Sequence, residues 1–189
     1  EGFVVVRSVD TWLETLSPQP PYTTDTLLYD ASRKLGLSAE KAMRIAQELF
    51  ESGLITYHRT DSTRVSSTGM AIARAYLESR GLPGEFRPRS WGEGGAHEAI
   101  RPTRPLDLED LEKALAEGTV RVHLKLTWGH RALYDLVFRR FIASQMREAK
   151  VVKARVELEV GELLVPIEGV VKLVEEGFTR IYTNFRLEE

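Results

Sequence analysis

The stretch Gly53-Leu54-Ile55-Thr56-Tyr57-His58-Arg59-Thr60-Asp61-Ser62 joins a short apolar run, typical of a β-strand, to a polar turn. Tyr57 stands at the junction, and Arg59 follows two positions later. If the strand continues, both side chains point to the same face. A phenol beside a permanent cation suits attack on a phosphodiester, because negative charge builds up on the phosphoryl oxygens. We therefore predict Tyr57 as a nucleophile and Arg59 as its cationic partner.

Helical patterns surround this stretch. Thr23 or Thr24 is predicted to cap a helix that ends at Gly36, and Ser38 to cap a second helix that ends at Gly53. A helix, a tight turn, a second helix and a strand, in this order, are typical of a winged-helix or helix-turn-helix unit. Further helices are predicted over residues 68–80, 107–117 and 127–149, with a long loop over 81–105 that is rich in glycine and proline.

The two ends of the chain have strand patterns instead. A β-branched run predicts a strand over Phe3–Val9, and apolar residues alternate with charged ones from Val152 to Val160, which indicates a half-buried strand. Two more strands are predicted over Leu163–Val174 and Phe178–Tyr182. The sequence therefore predicts an α+β fold, in which a β layer built from both ends of the chain brackets a mainly helical middle.

Composition narrows the class of protein. The 189 residues contain no cysteine, which excludes disulfides and a cysteine-ligated zinc site and fits a cytoplasmic protein. No apolar run approaches the roughly 20 residues that a membrane span needs. One asparagine and three glutamines, beside abundant Glu and Arg, indicate a thermophilic source. The net charge is −2, but residues 57–104 hold eight Arg against five acidic residues, which predicts a local surface for nucleic acid.

A second polar segment, Gly95-Ala96-His97-Glu98-Ala99-Ile100-Arg101-Pro102-Thr103, lies within the predicted loop. His97 could in principle ligate a metal, but the other histidines lack ligand spacing, so we predict no metal site. Thr60, Asp61 and Ser62 are of the residue types that build turns through bonds from side chain to backbone, and we predict that they form a scaffold.

The stretch from Gly53 to Ser66 resembles the active-site tyrosine motif of type IA DNA topoisomerases, and the histidine after the tyrosine makes it most similar to the reverse gyrases. The segment 95–103 resembles a second signature of the family, and the predicted helix around 133–146 resembles its late helix. The resemblance implies that Tyr57 cleaves one DNA strand through a 5′-phosphotyrosine intermediate and reseals it after strand passage. The residues that would contact single-stranded DNA are then His97, Arg101, Thr103 and Arg139.

The resemblance also implies a domain organisation. Residues 21–149 correspond to the tyrosine domain of the family (domain III), and residues 1–20 and 150–189 to its β arch (domain II). No acidic magnesium-binding domain and no helicase-like ATPase is visible, so we expect no cofactor in this fragment, and Mg²⁺ and ATP elsewhere in a longer parent polypeptide. The isolated fragment is accordingly expected to be inactive. The alternatives are a non-catalytic winged-helix module that binds DNA, a structural or interaction domain, and a fragment of an ordinary topoisomerase I or III.

Overall fold

The computed structural model describes residues 2–183 and 185–188, which form two compact units. One unit, the helical unit, consists of residues 19–146. The other, the sheet unit, combines the start of the chain up to residue 18 with the part after residue 146. Five α-helices and one three-stranded antiparallel sheet make up the regular structure of the described residues, so the predicted α+β class is confirmed.

The helical unit contains all five α-helices, and the starts of the first two agree with the predicted caps. Thr23 caps α1 with a reciprocal capping box, Ser38 caps α2, and Asp107 caps α4. The helices span α1 Thr24–Leu35, α2 Ala39–Glu51, α3 Ser67–Ser79, α4 Leu108–Glu117 and α5 Trp128–Ser144. Within the described part of the chain, none of the helices is both long enough and apolar enough to cross a membrane.

Helix α5 forms the centre of the core of the helical unit. Phe138, Phe141 and Ile142 are fully buried along it, and α1, α2 and α4 contact it. Tyr76 of α3 meets the ring of Phe138 edge to face at 4.7 Å. The helices are therefore held mainly by apolar burial around α5.

The sheet unit is an antiparallel sheet with the strand order β1-β2-β3. The strands are β1 Val4–Leu16, β2 Ala149–Val160 and β3 Leu163–Glu175. Leu16 pairs with Ala149 at one end of the β1–β2 ladder, and Val160 pairs with Leu163 across the turn at Gly161. Gly161 has a φ of 64°, a left-handed conformation that suits this tight turn.

Burial in β2 does not follow the predicted alternation. Only Ala149 and Val151, at one end of the strand, are buried, and the remaining residues are intermediate or exposed on both faces. The alternating sequence correctly predicts a strand. It fails to predict burial because the described residues do not cover the rest of this sheet.

Two predicted strands are absent. Residues 54–57 are irregular apart from an isolated bridge between Ile55 and Pro102, so the strand of the predicted winged-helix order is absent there. Proline has no N–H with which to continue a ladder. The predicted strand at 178–182 is instead a 3-10 turn over Gly177–Arg180, where the N–H of Phe178 donates to the carbonyl of Arg147.

Helix α5 also ends five residues before its predicted end. Gln145 leaves the helix and bonds to a neighbouring loop: its amide donates to the carbonyl of Arg89, and its carbonyl oxygens accept from the N–H groups of Arg87 and Arg89. These bonds replace the next helical turn.

Candidate active site

Tyr57 follows a short segment that is fixed on both sides. Gly53, at a φ of 73°, reverses the chain after α2, and Leu54 and Ile55 are buried directly behind it. The N–H of Thr56 donates to the carbonyl of Arg101 at 2.9 Å, and its hydroxyl donates to the carbonyl of Ala99 at 2.7 Å. The 95–103 segment therefore holds the backbone on which Tyr57 is mounted.

The side chain of Tyr57 emerges from this anchored backbone and is 46% exposed. Phe50 contacts its ring edge to face, with 5.0 Å between the centroids, and the ring of His58 lies at 5.3 Å. Within the described residues, the hydroxyl of Tyr57 makes no hydrogen bond. The ring is thus supported from two sides, while the oxygen is open to a ligand.

Four of the predicted site residues line one surface pocket of about 500 Å³. Its lining consists of Thr23, Thr24, Asp25, Met43, Arg59, Thr60, Asp61 and His97. Three of these lie in or next to the first turn of α1, whose backbone N–H groups and dipole favour an anion. Arg59 and His97 are exposed, so their side chains can reach a ligand in the pocket. Tyr57 is not among the lining residues.

Two of the three predicted scaffold residues make the expected bonds to the backbone. The hydroxyl of Thr60 donates to the carbonyl of Glu98 at 2.9 Å, and its N–H donates to the hydroxyl of Thr24 at 2.9 Å. The hydroxyl of Ser62 accepts from the N–H of Arg64 at 3.1 Å. Asp61 lines the pocket instead. Thr60 therefore links the tyrosine segment to both α1 and the 95–103 segment.

Arg101 lies in a different place from the one expected. Its side chain is buried, 5% exposed, and binds the carboxylate of Glu98 at 2.7 and 3.0 Å and the carbonyl of Pro102 at 3.1 Å. The structure therefore gives no support for the predicted contact of Arg101 with DNA, because its guanidinium already binds groups within the protein. Burial acts to raise the pKa of Glu98, but hydrogen bonds from Arg101 and Ser66 outweigh it and hold that pKa below its usual range.

Thr103 and Arg139 are not in the pocket. The hydroxyl of Thr103 donates to the carbonyl of Gly53 at 2.6 Å, which helps to fix the turn before Tyr57. Arg139 lies half-exposed on α5 and binds Asp135, one helical turn earlier, through two bonds of 3.0 Å. The sequence resemblance remains the only support for DNA binding by these two residues.

Two features of the site are not apparent in the sequence. Thr24 appears there only as a possible helix cap, whereas in the structure its hydroxyl donates to the carbonyl of His58 at 2.7 Å. Glu98 appears there only as part of a motif, but it holds Arg101 and also accepts from the N–H of Ser66 at 2.9 Å. No local pattern gives the bond from Thr24 to His58 or the bond from Ser66 to Glu98, because each joins residues more than thirty positions apart.

Comparison with known proteins identifies the family. A family model described as DNA topoisomerase matches residues 1–189. The chain therefore belongs to the DNA topoisomerase family, in its type IA class. Its fold is similar to that of full-length topoisomerase I from Thermotoga maritima, with a TM-score of 0.71 and 31% identity, over 98% of this chain and 31% of that one.

More similar relatives are named reverse gyrase. Reverse gyrase 2 of Aeropyrum pernix is 61% identical over 93% of this chain, and reverse gyrase of Pyrobaculum aerophilum is 51% identical over 95%. The chain spans 15% of the length of each of these two relatives. Their sources are consistent with the thermophilic composition.

Proposed function

We propose that this chain is the strand-cleaving segment of a reverse gyrase. Relatives of that name are 61% and 51% identical to it, whereas the topoisomerase I of Thermotoga maritima is 31% identical, which favours reverse gyrase over an ordinary topoisomerase I. The half-exposed side chain of Tyr57, on a backbone anchored by the 95–103 segment, is the observation that carries the proposal.

The proposed reaction transfers one phosphodiester bond. The phenolic oxygen of Tyr57 attacks the phosphorus of a single DNA strand, a bond forms between that oxygen and phosphorus, and the bond from phosphorus to the 3′-oxygen breaks. Overall, the phenol loses its proton and the 3′-oxygen gains one, so that this oxygen becomes a hydroxyl. The phosphodiester energy is kept in the phosphotyrosine, so the reverse attack by the 3′-hydroxyl reseals the strand without an external energy source.

The pocket beside this tyrosine segment supports a path for the DNA backbone. Arg59 can bind a phosphate through two parallel hydrogen bonds, and His97, which lines the same pocket, supplies a further donor. The first turn of α1 adds backbone dipoles of the same sign. Asp25 and Asp61 oppose this charge, so we expect a phosphate to be held at moderate affinity and released after resealing.

The domain assignment and the cofactors belong to the same proposal. Residues 21–149 would act as the tyrosine domain, and residues 1–20 and 150–189 as part of the arch, which the division into two compact units supports. Mg²⁺ and ATP would bind to other domains of the parent protein. That protein would be cytoplasmic. The isolated chain should therefore bind single-stranded DNA weakly and neither relax nor supercoil it.

Substitution of Tyr57 in the complete parent protein tests the proposal. Tyr57→Phe removes only the nucleophilic oxygen, so we expect the covalent adduct with an end-labelled oligonucleotide to disappear while strand binding stays nearly unchanged. Tyr29→Phe is the matched control, because Tyr29 is also exposed on the helical unit and should leave the adduct intact. Persistence of the adduct in Tyr57→Phe would show that the nucleophile is misassigned.

A further inference from the structure

His58 is a buried polar side chain without a partner. It is 4% exposed, and neither of its ring nitrogens makes a hydrogen bond to any of residues 2–183 and 185–188. A buried donor or acceptor that loses its bonds to water and gains none in return destabilises the folded protein. Such a group needs an explanation in its function or its surroundings.

The other buried histidine of the helical unit shows what a structural role looks like. His130 bonds through Nδ1 to the hydroxyl of Thr127 at 2.8 Å and through Nε2 to the carboxylate of Glu48 at 3.1 Å. Both of its ring nitrogens are satisfied. Neither ring nitrogen of His58 is satisfied in this way within the described residues. His58 also lies next to Tyr57, the proposed nucleophile.

The surroundings of His58 are mainly aromatic. Phe50, Tyr57 and His58 form a ring cluster, in which the imidazole lies 5.9 Å from the ring of Phe50 and 5.3 Å from that of Tyr57. The charged groups that act on the imidazole are Arg59, in its own segment, and Glu51, at the end of α2. Burial first and Arg59 second hold the pKa of His58 below its usual value, and Glu51 opposes them only in part. The imidazole is therefore neutral near pH 7 and carries one N–H donor.

Tyr57 is the exposed member of the ring cluster, and its hydroxyl has no partner among the described residues. Its ring is therefore the part of the cluster that can turn towards a bound strand without losing a hydrogen bond. Such a turn withdraws the edge of the phenol from the imidazole. Arg59, whose charge acts on the imidazole, favours an anion beside it.

We propose that His58 donates its N–H to a phosphate oxygen of the DNA strand when Tyr57 turns to attack that phosphate. This inference rests on the proposed function. It assigns to His58 a contact that forms in the reactive arrangement and is absent from the free protein. The bond would hold the phosphate against the phenolic oxygen, so its loss should slow cleavage more than it weakens binding.

The test compares two variants of the complete parent protein. His58→Phe keeps a ring of similar size and removes the N–H, so we expect formation of the covalent adduct to slow by about tenfold. The dissociation constant for a single-stranded oligonucleotide should stay within about twofold, and the melting temperature should stay equal or rise, because a buried unsatisfied group is removed. His58→Gln retains an N–H donor and should recover part of the rate.

Two results would overturn the inference. One is a rate of adduct formation in His58→Phe equal to that of the unmodified protein. The other is equal slowing in both variants together with a lower melting temperature, since that pattern marks a residue needed only for packing. Failure of the proposed function itself looks different: no adduct would then form on Tyr57 in the unmodified protein, whatever residue stands at 58.

Discussion

The helical unit and the sheet unit are stabilised in different ways. The helical unit buries large apolar side chains around α5, including Phe138 and Phe141. The sheet unit leaves most of its large apolar side chains exposed, and these include Val4, Val5, Val6, Val9, Leu13, Leu163, Leu164 and Ile167. Consecutive strand residues point to opposite faces, so the exposure of Val4, Val5 and Val6 means that neither face is covered at that end by the described residues. One unit depends on a core, and the other on strand pairing.

The largest expected effect is the loss of a ring from the core. Phe141→Ala should lower the free energy of unfolding of the 189-residue chain by about 3–5 kcal/mol, because it removes a fully buried ring and leaves a cavity. Leu163→Ala in the sheet unit, where the side chain is 69% exposed, should change it by less than about 0.5 kcal/mol. Urea denaturation followed by circular dichroism measures both. Similar losses would mean that the sheet is packed as tightly as the helices.

Neighbouring arginines of α5 provide the next comparison. Arg140 is buried, donates to the carbonyl of Pro20 at 2.6 Å and lies 3.4 Å from the carboxylate of Asp30. Arg140→Met should therefore lower the free energy of unfolding by about 3 kcal/mol, because it removes the charge that Arg140 places beside the buried carboxylate of Asp30. Arg139→Met, on the half-exposed side, should cost less than about 0.5 kcal/mol. Chemical denaturation measures the free energy of unfolding of the two variants. Equal losses would contradict the burial of the pair formed by Arg140 and Asp30.

The sheet unit should be sensitive to substitution at Gly177, where the backbone is tightly packed. A Cβ atom at Gly177 would lie 2.1 Å from the carbonyl oxygen of Glu148, and φ there is 49°. Gly161 also has a positive φ, 64°, but no atom within 4 Å of an added Cβ. Gly177→Ala should therefore destabilise the unit by about 1–3 kcal/mol more than Gly161→Ala. The loss of β-sheet signal on heating reports the difference, and the prediction fails if both variants melt together.

The smallest effect concerns pH. The folded state holds the pKa of His58 below its unfolded value of about 6.5, so the unfolded chain binds a proton first as the pH falls. This part of the stability is present above pH ~6.5 and declines below it. His58→Phe should flatten the decline between pH 7.5 and 5.5. Denaturation curves at several pH values measure it, and an unchanged slope in His58→Phe would exclude the effect.

Local chemistry predicts the helices well. The caps at Thr23, Ser38 and Asp107 mark the starts of helices, because a side-chain oxygen there bonds to a backbone N–H within the same turn. The end of α5 cannot be predicted in this way, because it depends on bonds between Gln145 and Arg89, 56 residues apart.

The site was predictable in part. The motif predicts Tyr57 and Arg59 as site residues, and the structure places Arg59, Thr60, Asp61 and His97 around one pocket. The buried position of Arg101 was not predictable, because it depends on the fold-back to Glu98 and on α3. Gly69 shows how closely that helix approaches: an added Cβ would lie 2.8 Å from Nε of Arg101. No periodicity in the sequence reveals such a contact between segments.

The pairing of Leu16 with Ala149 has a consequence for the order of folding. The hairpin of β2 and β3 closes through a two-residue turn and can form early. The ladder between β1 and β2 must instead close a loop on the order of 130 residues, and the entropy lost in that closure delays it. A compact helical unit shortens the flexible part of that loop. We therefore expect the first strand in the chain to be the last to join the sheet.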